Sequence, residues 1–183
     1  FRTWDEYADF VTLLEHTNSI VESTQIWWSV RPHHNFGTLE VRICDGQSEF
    51  DEAMGSAALV IACIAQFCAD YDAGITLPAH PGRLIEENMW RAIRHGLNGQ
   101  MIDFARGETR PTPVAIEELL AWSAPVHEPL GLTDFLASIP TTLVEGNGAI
   151  RQQRRLQAGD DLHAIHADAV ARTRLSAEEF LAR

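Results

Sequence analysis

Hydrophobic and polar positions alternate in two short segments near the start of the chain, residues 25–31 and 38–44. Successive residues of a β-strand point to opposite faces of a sheet, so this alternation predicts two strands. Residues 32–37 are rich in breakers and would join the strands as a loop. If the strands pair in antiparallel fashion, the ribbon they form has an apolar face that packs on a core. Its other face then presents three charged residues together: Arg31, Glu40 and Arg42.

Apolar residues recur at helical spacing over most of the remaining chain. Helices are predicted over residues 1–14, 50–71, 83–97, 113–122, 133–138, 141–157 and 160–174. Gly146 and Gly148 interrupt the segment 141–157. Residues 100–104 are compatible with a strand or with a continued helix, and the breaker-rich residues 106–113 indicate a surface loop.

The predicted helix over residues 50–71 is apolar almost all round and should be buried, against the apolar face of the ribbon. Ser48, three residues before Asp51, resembles a capping box at its start. No apolar run reaches the length needed to span a bilayer, and no signal peptide is visible. A few strands among many helices indicate the α+β class, an antiparallel sheet packed with helices, and 183 residues predict a single domain over residues 1–183.

Charge and composition exclude several classes of function. The formal net charge is −12, the opposite of what a nucleic-acid-binding protein carries, so we expect no DNA or RNA partner. All fourteen basic residues are arginine, which excludes lysine nucleophiles and the lysine-containing phosphate loop of many nucleotide-binding proteins. Any anion must then be bound by arginine, histidine, backbone N–H groups or metal.

Cysteine and histidine offer no clear site of their own. Three cysteines without framework spacing indicate reduced thiols and a cytoplasmic protein, with Cys63 and Cys68 as small core residues. His163 and His166 are three residues apart on a predicted helix, where a surface pair is expected rather than a metal site. The charged face of the ribbon has two interpretations: a solvated ion pair, or part of a site for metal and phosphate oxygens.

A resemblance favours the second interpretation. The segment WWSVRPHHNFGTLEVRICD, residues 27–45, resembles the signature of the type 2 glutamate–cysteine ligases, also called carboxylate–amine ligases. Two later segments, ENMWRAIRHGLNGQMID and EGNGAIRQQRR, resemble the C-terminal half of that family. The resemblance implies half of a catalytic fold like that of glutamine synthetase and the guanido kinases, with most strands outside this chain. Family members are about twice as long, so an N-terminal half is expected to be absent.

The resemblance also implies an activity. In the family, ATP phosphorylates the γ-carboxylate of glutamate, and the amine of cysteine displaces phosphate from the acyl-phosphate, a step in glutathione-type thiol biosynthesis. Glu40 would be a Mg²⁺ ligand, Arg42 a contact for phosphate or an anionic substrate group, and Arg31 a second cationic contact. The implied cofactors are ATP and Mg²⁺. The residues implied to face ATP or substrate in the second segment are Asn88, Arg91 and Arg94.

A single carboxylate does not make a magnesium site, so we expect this chain alone to have little or no ligase activity. Its expected partners are the absent N-terminal half, glutamate and an amine such as cysteine, with no membrane; the amine and a homo-oligomeric state are left open. The alternative from a different class is a non-catalytic helical binding module, or an inactive fragment docked to its other half.

Overall fold

The computed structural model describes Phe1, residues 3–33 and residues 36–182. Residues 34 and 35 of the predicted loop therefore lie outside the described residues. The chain divides into two compact units, residues 1–45 and residues 46–183, each of which is described by itself. Helices and two small antiparallel sheets confirm the predicted α+β class. The single domain and the likeness to a glutamine-synthetase-like fold stay predictions.

The first unit opens with helix α1, Trp4–His16, as predicted. Its N-cap is Thr3, whose side-chain oxygen accepts the backbone N–H of Glu6 at 3.2 Å, so one of the unpaired donors of the first turn is satisfied. One face of α1 buries Tyr7 and Val11 against Ile26. This small cluster is the hydrophobic core of the unit.

Strands β1, Val30–His33, and β2, Thr38–Val41, form the predicted antiparallel ribbon. Val30 lies opposite Val41, and Arg31 lies opposite Glu40. The first strand begins at Val30 rather than at residue 25, since residues 23–25 form a 3-10 turn and residues 26–29 belong to no strand, and the second strand ends at Val41 rather than at residue 44. The first strand also extends through residues that were assigned to the loop, since Pro32 and His33 belong to the strand.

Neither face of the ribbon is buried as a whole, in contrast to the prediction of a buried apolar face and a solvated charged one. Arg31 is 6% exposed, whereas Val30 and Leu39 on the other face are 43% and 45% exposed. The guanidinium of Arg31 can be buried because carbonyl oxygens and a carboxylate take up its donors. The expectation that the apolar face packs on a core is therefore wrong at Val30 and Leu39, whereas Ile26 of the predicted first strand does lie in the core.

The second unit is built around helix α2, Phe50–Asp72. Seven further elements follow it: α3 Gly82–His95, β3 Gln100–Asp103, β4 Glu108–Pro111, α4 Thr112–Ser123, α5 Thr133–Leu136, α6 Ser138–Glu145 and α7 Gly148–Gln157. The last is α8, Leu162–Leu181. The predicted helices are thus present, with residues 141–157 divided between α6 and α7 and with α8 longer than expected.

The core of this unit combines Ala58 and Ala62 of α2 with Leu132 and Leu136. Alanine leaves room for close helix packing, and α2 contacts α4, α5, α6 and α8. Only one face of α2 is buried, in contrast to the prediction of burial all round. Ile61 of the opposite face is 50% exposed.

The start of α2 is stabilised by α8 rather than by a capping box at Ser48. The N-cap residue is Glu49, and its side chain makes no capping bond. The backbone N–H of Phe50 instead donates to Ser176 Oγ at 2.9 Å, and Thr173 Oγ1 donates to the Ser48 carbonyl at 2.9 Å. Ser176 thus accepts one N–H of the first turn of α2 in place of a local cap, and Thr173 ties the Ser48 carbonyl to the same helix.

Length and composition alone would allow α2 to cross a membrane, in contrast to the expectation that no apolar run is long enough. Core helices of soluble proteins have the same length and composition, and α2 packs against four neighbouring helices. Cys63 of this helix is half-buried, and burial raises the pKa of its thiol. Cys68 is exposed, so its predicted place in the core is wrong.

Strands β3 and β4 form a second antiparallel hairpin, with Gln100 opposite Pro111. For residues 100–104 a strand and a continued helix were both left open, and residues 100–103 form a strand. The loop predicted at residues 106–113 is wrong, because this segment contains β4. Asp103 makes the turn: its Oδ1 accepts the N–H groups of Ala105 at 2.9 Å and Arg106 at 3.1 Å. Gly107 follows with φ +71°, a conformation that glycine adopts at little cost.

Candidate functional site

The ribbon brings together the three charged residues that the alternation placed on one face. Arg31 and Glu40 lie opposite each other in the strand register, and Nη2 of Arg31 is 2.5 Å from Oε2 of Glu40. Nε of Arg42 is 3.8 Å from Oε1 of the same carboxylate. Glu40 therefore bridges two guanidinium groups, one through each oxygen.

The two arginines differ in environment. The side chain of Arg31 is 8% exposed, whereas that of Arg42 is 36% exposed. Nη1 of Arg31 also donates to the carbonyls of Thr24 and Ile26, which fixes the guanidinium against the turn that precedes β1. Burial raises the pKa of nearby Tyr7, and the positive charge of Arg31 partly offsets that effect. Of the two, Arg42 is the guanidinium that a solute can reach.

Arg42 also lies over the ring of Trp27, with its Cζ 5.6 Å from the ring centroid. This is a cation–π contact, and it helps to hold the guanidinium at the surface. Trp27 is 80% exposed, which is unusual for so large an apolar side chain. Sequence reasoning did not assign Trp27 to the site. The signal was present, because Trp27 falls on the polar side of the alternation with Arg31.

Glu40 fits one position in a metal coordination shell. Its side chain is 39% exposed, and the 3.8 Å separation of Oε1 from Arg42 leaves that oxygen free of a close hydrogen bond. Among the described residues, no three histidine, cysteine or acidic side chains are placed to hold a metal ion. The described residues thus offer Glu40 as one ligand and no complete metal site of such side chains.

The other predicted site residues lie on α3, in the second unit. The amide of Asn88 is bonded to the backbone of Ile102. Nε of Arg91 donates to Glu87 at 2.9 Å, one turn earlier on the helix, and its Nη1 lies 3.5 Å from the Gln100 carbonyl. Arg94 is exposed and has no hydrogen bond or ion pair among the residues that the structure describes. Of these three residues, Arg94 is the one whose side chain is available to bind an anion.

A second charged cluster joins α2 to α7 and α8. Arg151 grips the carboxylate of Glu52 with two hydrogen bonds of 2.7 and 2.8 Å, and Arg172 pairs with Glu49 at 2.9 Å. Hydrogen bonding to Glu52 raises the pKa of Arg151. Asn147, the N-cap of α7, accepts the N–H of Ile150 and so starts the helix that carries Arg151. The segment EGNGAIRQQRR thus acts within this unit as a connection between helices.

A cavity of about 350 Å³ lies beside this second cluster. Four carboxylates and two arginines line it: Glu49, Asp51, Glu52, Glu145, Arg151 and Arg172. Both arginines are already paired with carboxylates, and acidic side chains outnumber basic ones. Its charge does not suit ATP or another anion.

Comparison with known proteins relates the chain to one family. The model of glutamate-cysteine ligase family 2 matches residues 1–173. A protein of Solibacter usitatus named "Putative glutamate--cysteine ligase 2" is 39% identical over 165 residues, which cover 90% of this chain and 43% of that protein. Proteins with the same name in Gloeobacter violaceus and Sorangium cellulosum are 39% and 36% identical, over 92% and 96% of this chain.

The chain spans less than half the length of these curated relatives: 43%, 45% and 47% of the three. The family match nevertheless takes in both units, including the ribbon with Glu40 and Arg42 and helix α3. The chain belongs to glutamate-cysteine ligase family 2.

Proposed function

We propose that this chain is the C-terminal half of an ATP-dependent ligase that joins the γ-carboxylate of glutamate to an amine, with cysteine as the expected amine. The observation that carries the proposal is the solvent-accessible guanidinium of Arg42 beside Glu40, in the ribbon of a chain that belongs to this family. A site for phosphoryl transfer needs a fixed cation that a phosphate can reach, and Arg42 has both properties.

The reaction proceeds in two balanced steps. An oxygen of the γ-carboxylate of glutamate attacks the γ-phosphorus of ATP, and ADP leaves with the electron pair of the broken P–O bond. The amine nitrogen then attacks the carbonyl carbon of the acyl-phosphate, loses a proton and expels phosphate. Both steps concentrate negative charge on phosphate oxygens, which a guanidinium stabilises by charge-assisted hydrogen bonds.

The environment of each side chain determines the role proposed for it. Arg42 contacts the phosphate or an anionic substrate group, and the ring of Trp27 holds its guanidinium. Arg94, exposed on α3, is the second candidate contact for an anion. Glu40 would hold Mg²⁺, which neutralises charge on the transferred phosphate when bound. The remaining ligands would come from the N-terminal half, the partner proposed for this chain.

Steady-state ATP consumption tests this proposal, with glutamate and a panel of amines as substrates. We expect turnover when this chain is joined to its N-terminal half, and little or none from the 183 residues alone. Glu40→Gln in the joined protein should abolish magnesium-dependent turnover, because an amide is a poor substitute for a metal-binding carboxylate. Turnover that is unaffected by Glu40→Gln would contradict the assignment of this residue.

The exposed apolar side chains of the ribbon favour a second role, which is docking without catalysis. Val30, Leu39 and Ile43 are between 43% and 52% exposed, and a two-stranded ribbon is marginally stable without further layers. A docking module would bind its other half equally well with Glu40 or with Gln at this position. Turnover and binding measured on the same Glu40→Gln protein therefore separate the two roles.

A further inference from the structure

We propose that Arg31 is a positioning residue that orients the carboxylate of Glu40 and makes no contact with substrate. This inference rests on the proposed ligase function and assigns different roles to the two arginines of the ribbon. The resemblance implied that both arginines contact an anion, whereas the structure places the two side chains in different environments.

Arg31 is buried and its hydrogen-bond donors are mostly occupied. Arg31 is 6% exposed as a residue, so its guanidinium is closed off from a solute at the surface of the ribbon. Its donors are largely used inside the unit, because Nη1 donates to the carbonyls of Thr24 and Ile26 and Nη2 donates to Glu40. Nε is buried and has no partner within the described residues. Little of this guanidinium is left for a phosphate or a carboxylate.

Arg31 also orients the carboxylate of Glu40. Arg31 holds Oε2 at 2.5 Å, and the strand register places the two residues directly opposite each other. Arg31 thereby fixes one oxygen, while Oε1 remains 3.8 Å from Nε of Arg42. A carboxylate gripped through one oxygen keeps one rotamer, and its second oxygen points in a constant direction. This is the arrangement by which an outer residue orients a metal ligand.

Arg31 is itself anchored to the turn that precedes β1. The carbonyls of Thr24 and Ile26 belong to the turn that precedes β1, and Ile26 lies in the core with Tyr7 and Val11. The guanidinium therefore connects Glu40 to the most buried part of the unit. Lysine could keep the charge, but a single ammonium group cannot reproduce the planar set of donors that reaches both carbonyls and the carboxylate.

Metal binding and kinetics of the joined protein test the inference, with Mn²⁺ as the probe. Arg31→Lys should weaken Mn²⁺ binding, followed by electron paramagnetic resonance, by about tenfold or more. It should also lower kcat and leave the KM values for ATP and glutamate within about twofold. Arg42→Lys should instead raise the KM for ATP or glutamate. Arg174→Lys, at an exposed position of α8, is the matched control and should change none of these values.

A double-mutant cycle on the 183-residue chain provides a readout that needs no activity. Arg31→Lys and Glu40→Gln should be coupled by about fivefold or more in the unfolding equilibrium, and Arg42→Lys and Glu40→Gln by less than about twofold. Absence of coupling between Arg31 and Glu40 would overturn the inference, as would a tenfold rise in the KM for ATP or glutamate in Arg31→Lys. If the joined protein shows no ATP turnover, the proposed function fails and the cycle alone decides the role of Arg31.

Discussion

The side-chain amide of Asn88 forms a reciprocal pair of hydrogen bonds with the backbone of Ile102. Nδ2 donates to the Ile102 carbonyl at 3.0 Å, and the Ile102 N–H donates to Oδ1 at 2.9 Å. The pair fastens α3 to β3 as an additional strand would, because it satisfies one donor and one acceptor of the strand edge. Asn88 was predicted from the resemblance to face ATP or substrate, and in this structure its amide serves the fold.

Replacing Asn88 by alanine should therefore lower stability. The variant leaves the N–H and the carbonyl of Ile102 without their partner, which we expect to lower the free energy of unfolding by about 1–3 kcal/mol. Chemical denaturation of the 183-residue chain measures this loss. Asn98→Ala, at an exposed position of the following 3-10 turn, is the control and should change stability by about 0.5 kcal/mol or less. Equal stability of Asn88→Ala and wild type would argue against the structural role.

Arg151 and Glu52 provide a test of the connection between α7 and α2. The side chain of Glu52 is 9% exposed, so Arg151→Ala would leave a nearly buried carboxylate without its bidentate partner. We expect a loss of about 3 kcal/mol in the free energy of unfolding. Arg174→Ala removes an arginine that is exposed on α8, and it should have little effect. A loss below about 1 kcal/mol for Arg151→Ala would show that the pair is screened by solvent.

Gly55 and Gly82 form a matched pair of glycines, each within a helix. A Cβ at Gly55 would collide with Ser138 Oγ and lie 3.2 Å from the Phe135 carbonyl oxygen, whereas a Cβ at Gly82 would meet no atom within 4 Å. Gly55→Ala should lower the free energy of unfolding by about 1–3 kcal/mol through overpacking. Gly82→Ala should raise it by about 0.5 kcal/mol, because alanine restricts the unfolded chain. Thermal unfolding of both variants would show opposite shifts of Tm.

Asp103 predicts a dependence of stability on pH. The hydrogen bond from the N–H of Arg106 lowers the pKa of this carboxyl group, and partial burial opposes the shift. The N–H of Ala105 and the positive charges of Arg110 and Arg106 lower the pKa further. A folded-state pKa below the ordinary value of 3.8 stabilises the fold above that value, and the contribution is lost as pH falls through the folded-state pKa.

Asp103→Asn keeps an oxygen acceptor for the turn but removes the titration. The difference in unfolding free energy between wild type and Asp103→Asn should therefore shrink as pH is lowered from about 5 to below the ordinary pKa. Urea denaturation at several pH values measures this difference. A constant difference over that range would contradict the lowered pKa.

Trp27 is expected to affect activity more than stability. Its ring is exposed, so Trp27→Leu should cost about 0.5–1 kcal/mol of stability through loss of the cation–π contact. In the joined protein we expect the KM for ATP or glutamate to rise, because the guanidinium of Arg42 loses its support. Trp27→Phe keeps an aromatic face and should have a KM close to that of the wild type. An unchanged KM in Trp27→Leu would show that Trp27 does not contribute to substrate binding.

Local patterns were sufficient for much of the fold. Helical periodicity located the helices from α1 to α8, and strand alternation located β1 and β2 with Arg31, Glu40 and Arg42 on one face. These features depend on neighbours within a few residues, where propensity and spacing act directly. The resemblance carried by residues 27–45 identified the family that the comparison confirms.

The errors occurred where hydrogen bonds of individual side chains, rather than hydrophobic periodicity, decide the outcome. Ser176 of α8 replaced the local cap expected at Ser48, and the turn at Asp103 converted a predicted loop into β4. Arg31 is buried on the charged face because its guanidinium donates to the carbonyls of Thr24 and Ile26, and no alternation pattern records these partners.

The sequence by itself determined which residues of the ribbon share a face, since a strand has a period of two. Only the tertiary structure decided which of those residues is buried and which is exposed. That outcome depends on whether a buried guanidinium finds enough acceptors to replace water, and the acceptors for Arg31 come from the preceding turn and the opposite strand. Arg31 and Arg42 are the same residue type on the same face, and their different partners accompany a buried side chain in one and an exposed side chain in the other.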